Sequence, residues 1–146
     1  MDTKKQFPNV LFIIIAILLL IGIIGASKNG LDIIRLNKMN NDIKLLDERI
    51  RLYYLDNGNL PITDKKIDNF SFSINPNDND SYFEIDLSKL EDLNIELGRK
   101  TNGEDDIYII NEESMTIYYL KGVKYQNKEF HTRNIDYEKI NLEDFN

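Results

Sequence analysis

The side chains of this chain best suited to chemistry are acidic. Asn77-Asp78-Asn79-Asp80 and Glu104-Asp105-Asp106 gather hard oxygen donors in two short runs, the donor type that calcium takes. Asp78, Asp80, Asp105 and Asp106 are therefore the metal-ligand candidates. Neither run has the alternating acceptors, central glycine and later glutamate of an EF-hand loop, so solvated loops without a resident cofactor are the simpler expectation. The single histidine, His131, sits beside Thr132 in an expected strand. A triad would need partners that the sequence does not place, and His131 reads as a surface or cross-strand residue. Gly98-Arg99-Lys100-Thr101-Asn102-Gly103 has the glycine spacing of a phosphate loop but continues Glu104-Asp105. The lysine and hydroxyl that would meet phosphate and magnesium are missing there, which leaves a turn. An enzyme is the function class least expected.

Composition narrows the field further. With no cysteine, disulfides and thiolate metal sites are excluded. Twenty-five acidic against 18 basic side chains give a net charge of −7, which argues against general nucleic-acid binding. At 146 residues the chain is too short for a barrel enzyme or a full dinucleotide-binding fold.

The apolar residues are unevenly spread. Val10–Ala26 (VLFIIIAILLLIGIIGA) carries no charged or polar side chain over 17 residues. As a helix it would span roughly 26 Å, against ~30 Å for a hydrocarbon core. Lys4 and Lys5 just before it favour a cytoplasmic N-terminus, with everything after Ser27 outside. The alternative is a signal peptide cut after Ile24-Gly25-Ala26, although such signals usually have a shorter apolar region.

Ser27-Lys28-Asn29-Gly30 is expected as a polar break, with Asn29 capping a new helix. In that helix Leu36, Met39, Ile43, Leu46, Ile50 and Tyr53 recur at three- and four-residue spacings and form one stripe. Asp42, Lys44, Asp47, Glu48, Arg49 and Arg51 are expected around the rest of its surface. The stripe has two readings: packing onto a sheet of the same chain, or a short parallel coiled coil between two chains. Asp56-Asn57-Gly58 and Pro61 supply the terminator.

Beyond Pro61 the pattern is mainly β. Strands are expected at Phe70-Phe72-Ile74 and at Phe83-Ile85-Leu87, followed by a short helix near 88–97 opened by Ser88-Lys89-Leu90-Glu91. Two hairpins follow, Asp106–Asn111 with Thr116–Leu120 and Val123–Tyr125 with Glu129–Thr132. Tyr118 and Tyr119 point to opposite faces of one strand, so only one of them is expected in the core; the other is a candidate subunit contact.

This layout resembles the type IV pilins and the pseudopilins of type II secretion systems. The closest local match is Leu52-Tyr53-Tyr54-Leu55-Asp56-Asn57-Gly58-Asn59-Leu60-Pro61, which is similar to the tyrosine-rich helix end and Asp-Asn-Gly turn of pilin-like subunits. Tyr54, Asp56, Asn57, Gly58 and Pro61 carry that likeness. Asp106–Val123 resembles the C-terminal hairpin of clostridial pilin-like proteins, and 18 Asn and 22 Ile suit an AT-rich genome.

The resemblance implies an α+β fold, with a long N-terminal helix (transmembrane half plus amphipathic half) packed on a small antiparallel β head. The implied divisions are a short cytoplasmic N-terminus at 1–9, a transmembrane helix at 10–26, a protruding amphipathic helix at 27–60 and an extracytoplasmic head at 61–146. It also implies a bacterial cytoplasmic-membrane location, partners among lipid, other pilin-like subunits and membrane-platform proteins, and calcium in the head of some relatives. The family's processing glycine is replaced by Gln6 before Phe7, its glutamate by Leu11, and Pro8 follows the phenylalanine. Gln6 and Phe7 are the candidate processing junction, and these departures imply a minor or atypical subunit. Two other expectations stand beside it: a bitopic envelope scaffold dimerising through the stripe, and a small binding module secreted after cleavage near Ala26.

Overall fold

The computed structural model describes residues 7–70, 72, 81–99 and 103–133, with side chains of the first helix described for 14–19, for Lys28 and from Gly30 onward. The chain is α+β. Helix α1 (Phe7–Asn57) is followed by strands β1 (Ile62–Lys66), β2 (Tyr82–Ile85), β3 (Tyr108–Asn111), β4 (Ile117–Tyr119), β5 (Val123–Tyr125) and β6 (Lys128–Phe130).

Ser27–Gly30 lies inside α1 and does not break it. Gly and Asn each cost a helix about 0.7–1 kcal/mol relative to Ala, too little to interrupt one with an apolar run before it and a buried amphipathic stripe after it. Among the described residues no helix is long and apolar enough to cross a membrane, so the spanning helix expected at 10–26 is not found there. The helix ends as its sequence dictates. Gly58 takes φ +72°, open to a residue without Cβ, and its N–H donates to the Tyr54 carbonyl at 2.8 Å. The Asn57 side chain donates to the Tyr53 carbonyl at 2.9 Å.

β1 to β4 form one antiparallel sheet in sequence order, and β5 pairs with β6 in a second. Antiparallel neighbours need only a short connection, as between β3 and β4, while long segments lead from β1 to β2 and from β2 to β3. The β3–β4 turn is closed by Asn111, whose side-chain oxygen accepts from the N–H groups of Glu113 and Ser114 at 3.1 and 2.9 Å. Edge strand β1 carries exposed Asp64, Lys65 and Lys66, charges that discourage pairing with another chain. The other edge is covered: Tyr119 N–H donates to the His131 carbonyl at 2.6 Å and the Thr132 hydroxyl to the Ile117 carbonyl at 2.9 Å.

The α1 stripe is the centre of the core. Leu36, Met39, Ile43, Leu46 and Ile50 are buried with Ile85, Tyr108, Ile110, Ile117, Tyr119, Val123 and Tyr125, and Tyr53 packs at its margin. Burying each such side chain stabilises by about 1.5–3 kcal/mol. Because the stripe is covered by its own sheet, it is not available as a coiled-coil seam.

Several local expectations give way. Phe70 and Phe72 are not in a strand, and Ile74, Asp78 and Asp80 lie outside the described residues. The helix near 88–97 is a single 3-10 turn, Leu87–Lys89, capped by Asp86 rather than Ser88. Ser88 N–H and Oγ both donate to the Asp86 carboxylate, at 3.1 and 2.6 Å, and the hydroxyl bond holds that carboxyl below its ordinary range. Asp92 then takes φ +52°, a conformation that ends a helix. Tyr118 and Tyr119 do face opposite ways, but both are core, 2% and 1% exposed. The reason is a second cluster on the far face of the sheet, where Ile67, Tyr82, Ile107, Ile109 and Tyr118 are covered by Phe70, Phe72 and Leu120.

Candidate functional site

The densest polar chemistry among the described residues lies between α1 and the sheet. Asp42, expected on the outer surface of the helix, is 3% exposed. It follows Met39 by three residues and precedes Leu46 by four, so helical geometry sets it on the flank of the buried stripe. Its carboxylate accepts from Glu96 N–H at 2.9 Å, Leu97 N–H at 2.8 Å and the Tyr108 hydroxyl at 3.0 Å. A side chain of the helix thus pins a loop more than fifty residues away, and this bonding accounts for the backbone of 95–98 having no helix of its own.

Asp106 completes the arrangement from the other side. It is buried and accepts from Gly98 N–H at 3.2 Å and from the Tyr119 hydroxyl. The Tyr108 and Tyr119 rings lie 5.1 Å apart, so two carboxylates and two phenols make one continuous cluster. Gly98 is required at its centre: it has φ +71°, and a Cβ there would collide with the Tyr108 ring. Lys38 and Glu96 close the outside with an ion pair at 2.5 Å.

Burial dominates the proton affinities. It lifts Asp42 above the ordinary carboxyl range, outweighing the three hydrogen bonds that stabilise its charged form. Burial also raises both phenols, Tyr108 with the nearby Asp42 charge and Tyr119 with its bond to Asp106. The two phenol hydroxyls donate to the two aspartate side chains, and the four groups form a clasp between helix, loop and sheet.

Of the calcium candidates, the two that are described, Asp105 and Asp106, do not share a site. Asp105 is exposed while Asp106 is turned inward, bonded to Tyr119 and Gly98. Among the described residues no group of three or more acidic or histidine side chains is placed to hold a metal ion. His131 lies just past β6 and not in the expected strand: its ring stacks on Phe72 at 4.0 Å and 13°, and its Nδ1 lies 3.0 Å from the Tyr119 carbonyl oxygen. Glu129 stands 3.9 Å from its other nitrogen.

Of the turn residues, Pro61 is fully buried and its carbonyl accepts from Asp86 N–H at 2.8 Å. Tyr54, Asp56, Asn57 and Gly58 are exposed. Gln6 lies outside the described residues, and Phe7 opens α1. The acid–phenol clasp went unread in the sequence. Its one signal was an aspartate three residues from one stripe position and four from another.

No protein family, curated protein or solved structure matches the chain.

Proposed function

We propose that the chain is a membrane-anchored, pilin-like structural subunit whose apolar N-terminal run is held by lipid or by neighbouring helices. The observation that carries this reading is the division of α1 between two environments. From Leu36 to Ile50 its apolar stripe is consumed by the head. Ile14, Ile15, Ile17, Leu18 and Leu19 are exposed instead, and their positions spread over about 200° of the helix circumference. Water is a poor solvent for such a surface, while lipid and a bundle of like helices satisfy it equally well. Seventeen apolar residues stand at the lower end of what spans a bilayer.

The same surface makes a filament subunit a coherent reading. Helices that leave the bilayer keep their apolar contacts when they pack on one another, and repeated contacts that do not close on themselves grow as a filament. Leu52, Tyr54 and Leu55, exposed at the far end of α1, offer further contact area. The atypical Gln6-Phe7 junction suits a minor subunit.

Alkaline extraction of membranes carrying the tagged full chain, followed by shearing of intact cells, tests the proposal. The chain is expected to stay with the membrane pellet and to appear in part among sheared filaments. Release by alkali would exclude the anchor, and retention with an empty sheared fraction would exclude the filament role and leave the anchor standing.

A further inference from the structure

A cleft of about 1060 Å³ opens between α1 and the β5–β6 hairpin. Its rim carries Lys28 and Arg35 from the helix and Lys121, Lys124 and Lys128 from the hairpin, against only Asp32 and Glu129. All five cations are exposed. Elsewhere in this acidic chain Lys38, Arg51, Lys66 and Lys89 each hold a carboxylate. None of the five cleft cations forms an ion pair with a described residue. Five cations against two carboxylates leave the cleft with an excess of positive charge, and an anion brought among them offsets it.

We propose that this cleft seats anionic phospholipid headgroups, whose phosphodiester oxygens its lysines and arginine hold where α1 leaves the bilayer. The proposal rests on the anchor reading above. Val123, Tyr125 and Phe130 share a core with Ile33 and Leu36, which fixes the hairpin against the helix while Lys124 alternates outward. Lys28 and Arg35 follow Ala26 by two and nine residues, roughly 3 and 14 Å along the helix. A headgroup layer is about 5–8 Å thick on each side of the hydrocarbon, so long cationic side chains from both positions reach it. Leu31, 62% exposed, lies on the same helix face between them. An exposed leucine flanked by cations is what an interfacial helix presents to a bilayer.

The absence of cysteine makes a single reporter clean. The full chain with Asn127→Cys at the hairpin tip carries a fluorescent donor and is reconstituted into vesicles holding a headgroup-labelled acceptor lipid. The vesicles are phosphatidylcholine alone or mixed with phosphatidylglycerol, and flotation reports insertion independently. Energy transfer is expected to rise with phosphatidylglycerol, to fall back at about 0.5 M salt where screening lengths are a few ångströms, and to vanish in the K121Q/K124Q/K128Q variant. Hairpin occupancy is expected to drop about fivefold per lysine replaced, with flotation unchanged. Flotation with equal transfer in both lipids, or a triple variant that behaves as the parent, overturns the headgroup seat and leaves the anchor standing. Transfer that follows protein density rather than lipid charge overturns it in favour of a second copy. Failure to float on either vesicle overturns the anchor, and the seat with it.

Discussion

The two faces of the four-stranded sheet are covered by different chemistry. Against one, α1 lays Leu36, Met39, Ile43, Leu46 and Ile50, a regular aliphatic stripe sealed by the Asp42 and Asp106 hydrogen bonds. Over the other lie rings. Phe70 meets Tyr82 edge-on at 4.8 Å and Phe72 at 4.9 Å, and Phe72 meets Tyr118 at 5.5 Å and His131 at 4.0 Å. The first cover is a rigid element whose contacts repeat with the helical turn. The second is formed by Phe70 and Phe72, two large rings that belong to no strand. A helix commits a whole row of residues to one register, so disturbing one disturbs all. Two rings outside any helix or strand can shift locally at smaller cost.

That contrast sets the order of expected effects. Leu46→Asp buries an unpaired charge in the helix-side core and is expected to unfold the head, a loss above about 4 kcal/mol. Circular dichroism and thermal melting of the full chain check it. A head that stays folded while only an oligomer dissolves would return the stripe to the coiled-coil reading. Asp42→Ala strips one buried and two part-buried donors of their acceptor and is expected to cost about 3–5 kcal/mol by denaturant titration. Phe72→Ala on the far face is expected to cost only about 1–2 kcal/mol, since that ring is half-exposed and its neighbours can close over the gap. Equal losses from Phe72→Ala and Asp42→Ala would erase the contrast between the faces.

Much of the helix-side face was legible. Spacings of three and four name the stripe directly, and Asp-Asn-Gly before a proline marks the helix end at Asn57. The β3–β4 and β5–β6 hairpins follow from alternation and turn residues. The far face was not legible, because Phe70 and Phe72 show strand alternation without any strand to pair with, and Tyr118 looked spare until a second cover was found. β1 gave no signal either: an edge strand of Thr63, Asp64, Lys65 and Lys66 needs no buried row. Asp42 was hidden because a helical carboxylate looks solvent-facing, and its acceptor role depends on N–H groups 54 and 55 residues downstream.

Two smaller effects sharpen the helix-side account. Asp42 holds its proton more tightly when folded than when unfolded, because burial raises it. The folded state therefore binds more protons between the ordinary aspartate value and the raised one, and stability from this group falls as pH rises through that window. In denaturant titrations from pH 4 to 7, the gap between the parent chain and Asp42→Asn is expected to widen as pH falls. A gap that narrows toward acid would mean that the charged form is the favoured one. Arg51→Ala removes an exposed pair with Asp47, bonded at 3.0 Å, and is expected to cost under about 0.5 kcal/mol by thermal melting. A larger loss would place Arg51 in an interface of the assembled chain.

The central claim is that α1 divides at the head, its stripe inside and its apolar run in the membrane. Single cysteines at Thr3 and Asn59, probed in intact cells with a maleimide that cannot cross membranes, test it most directly. The account predicts labelling of Asn59→Cys in intact cells and of Thr3→Cys only after permeabilisation. Labelling of both without permeabilisation, or of neither, would contradict it.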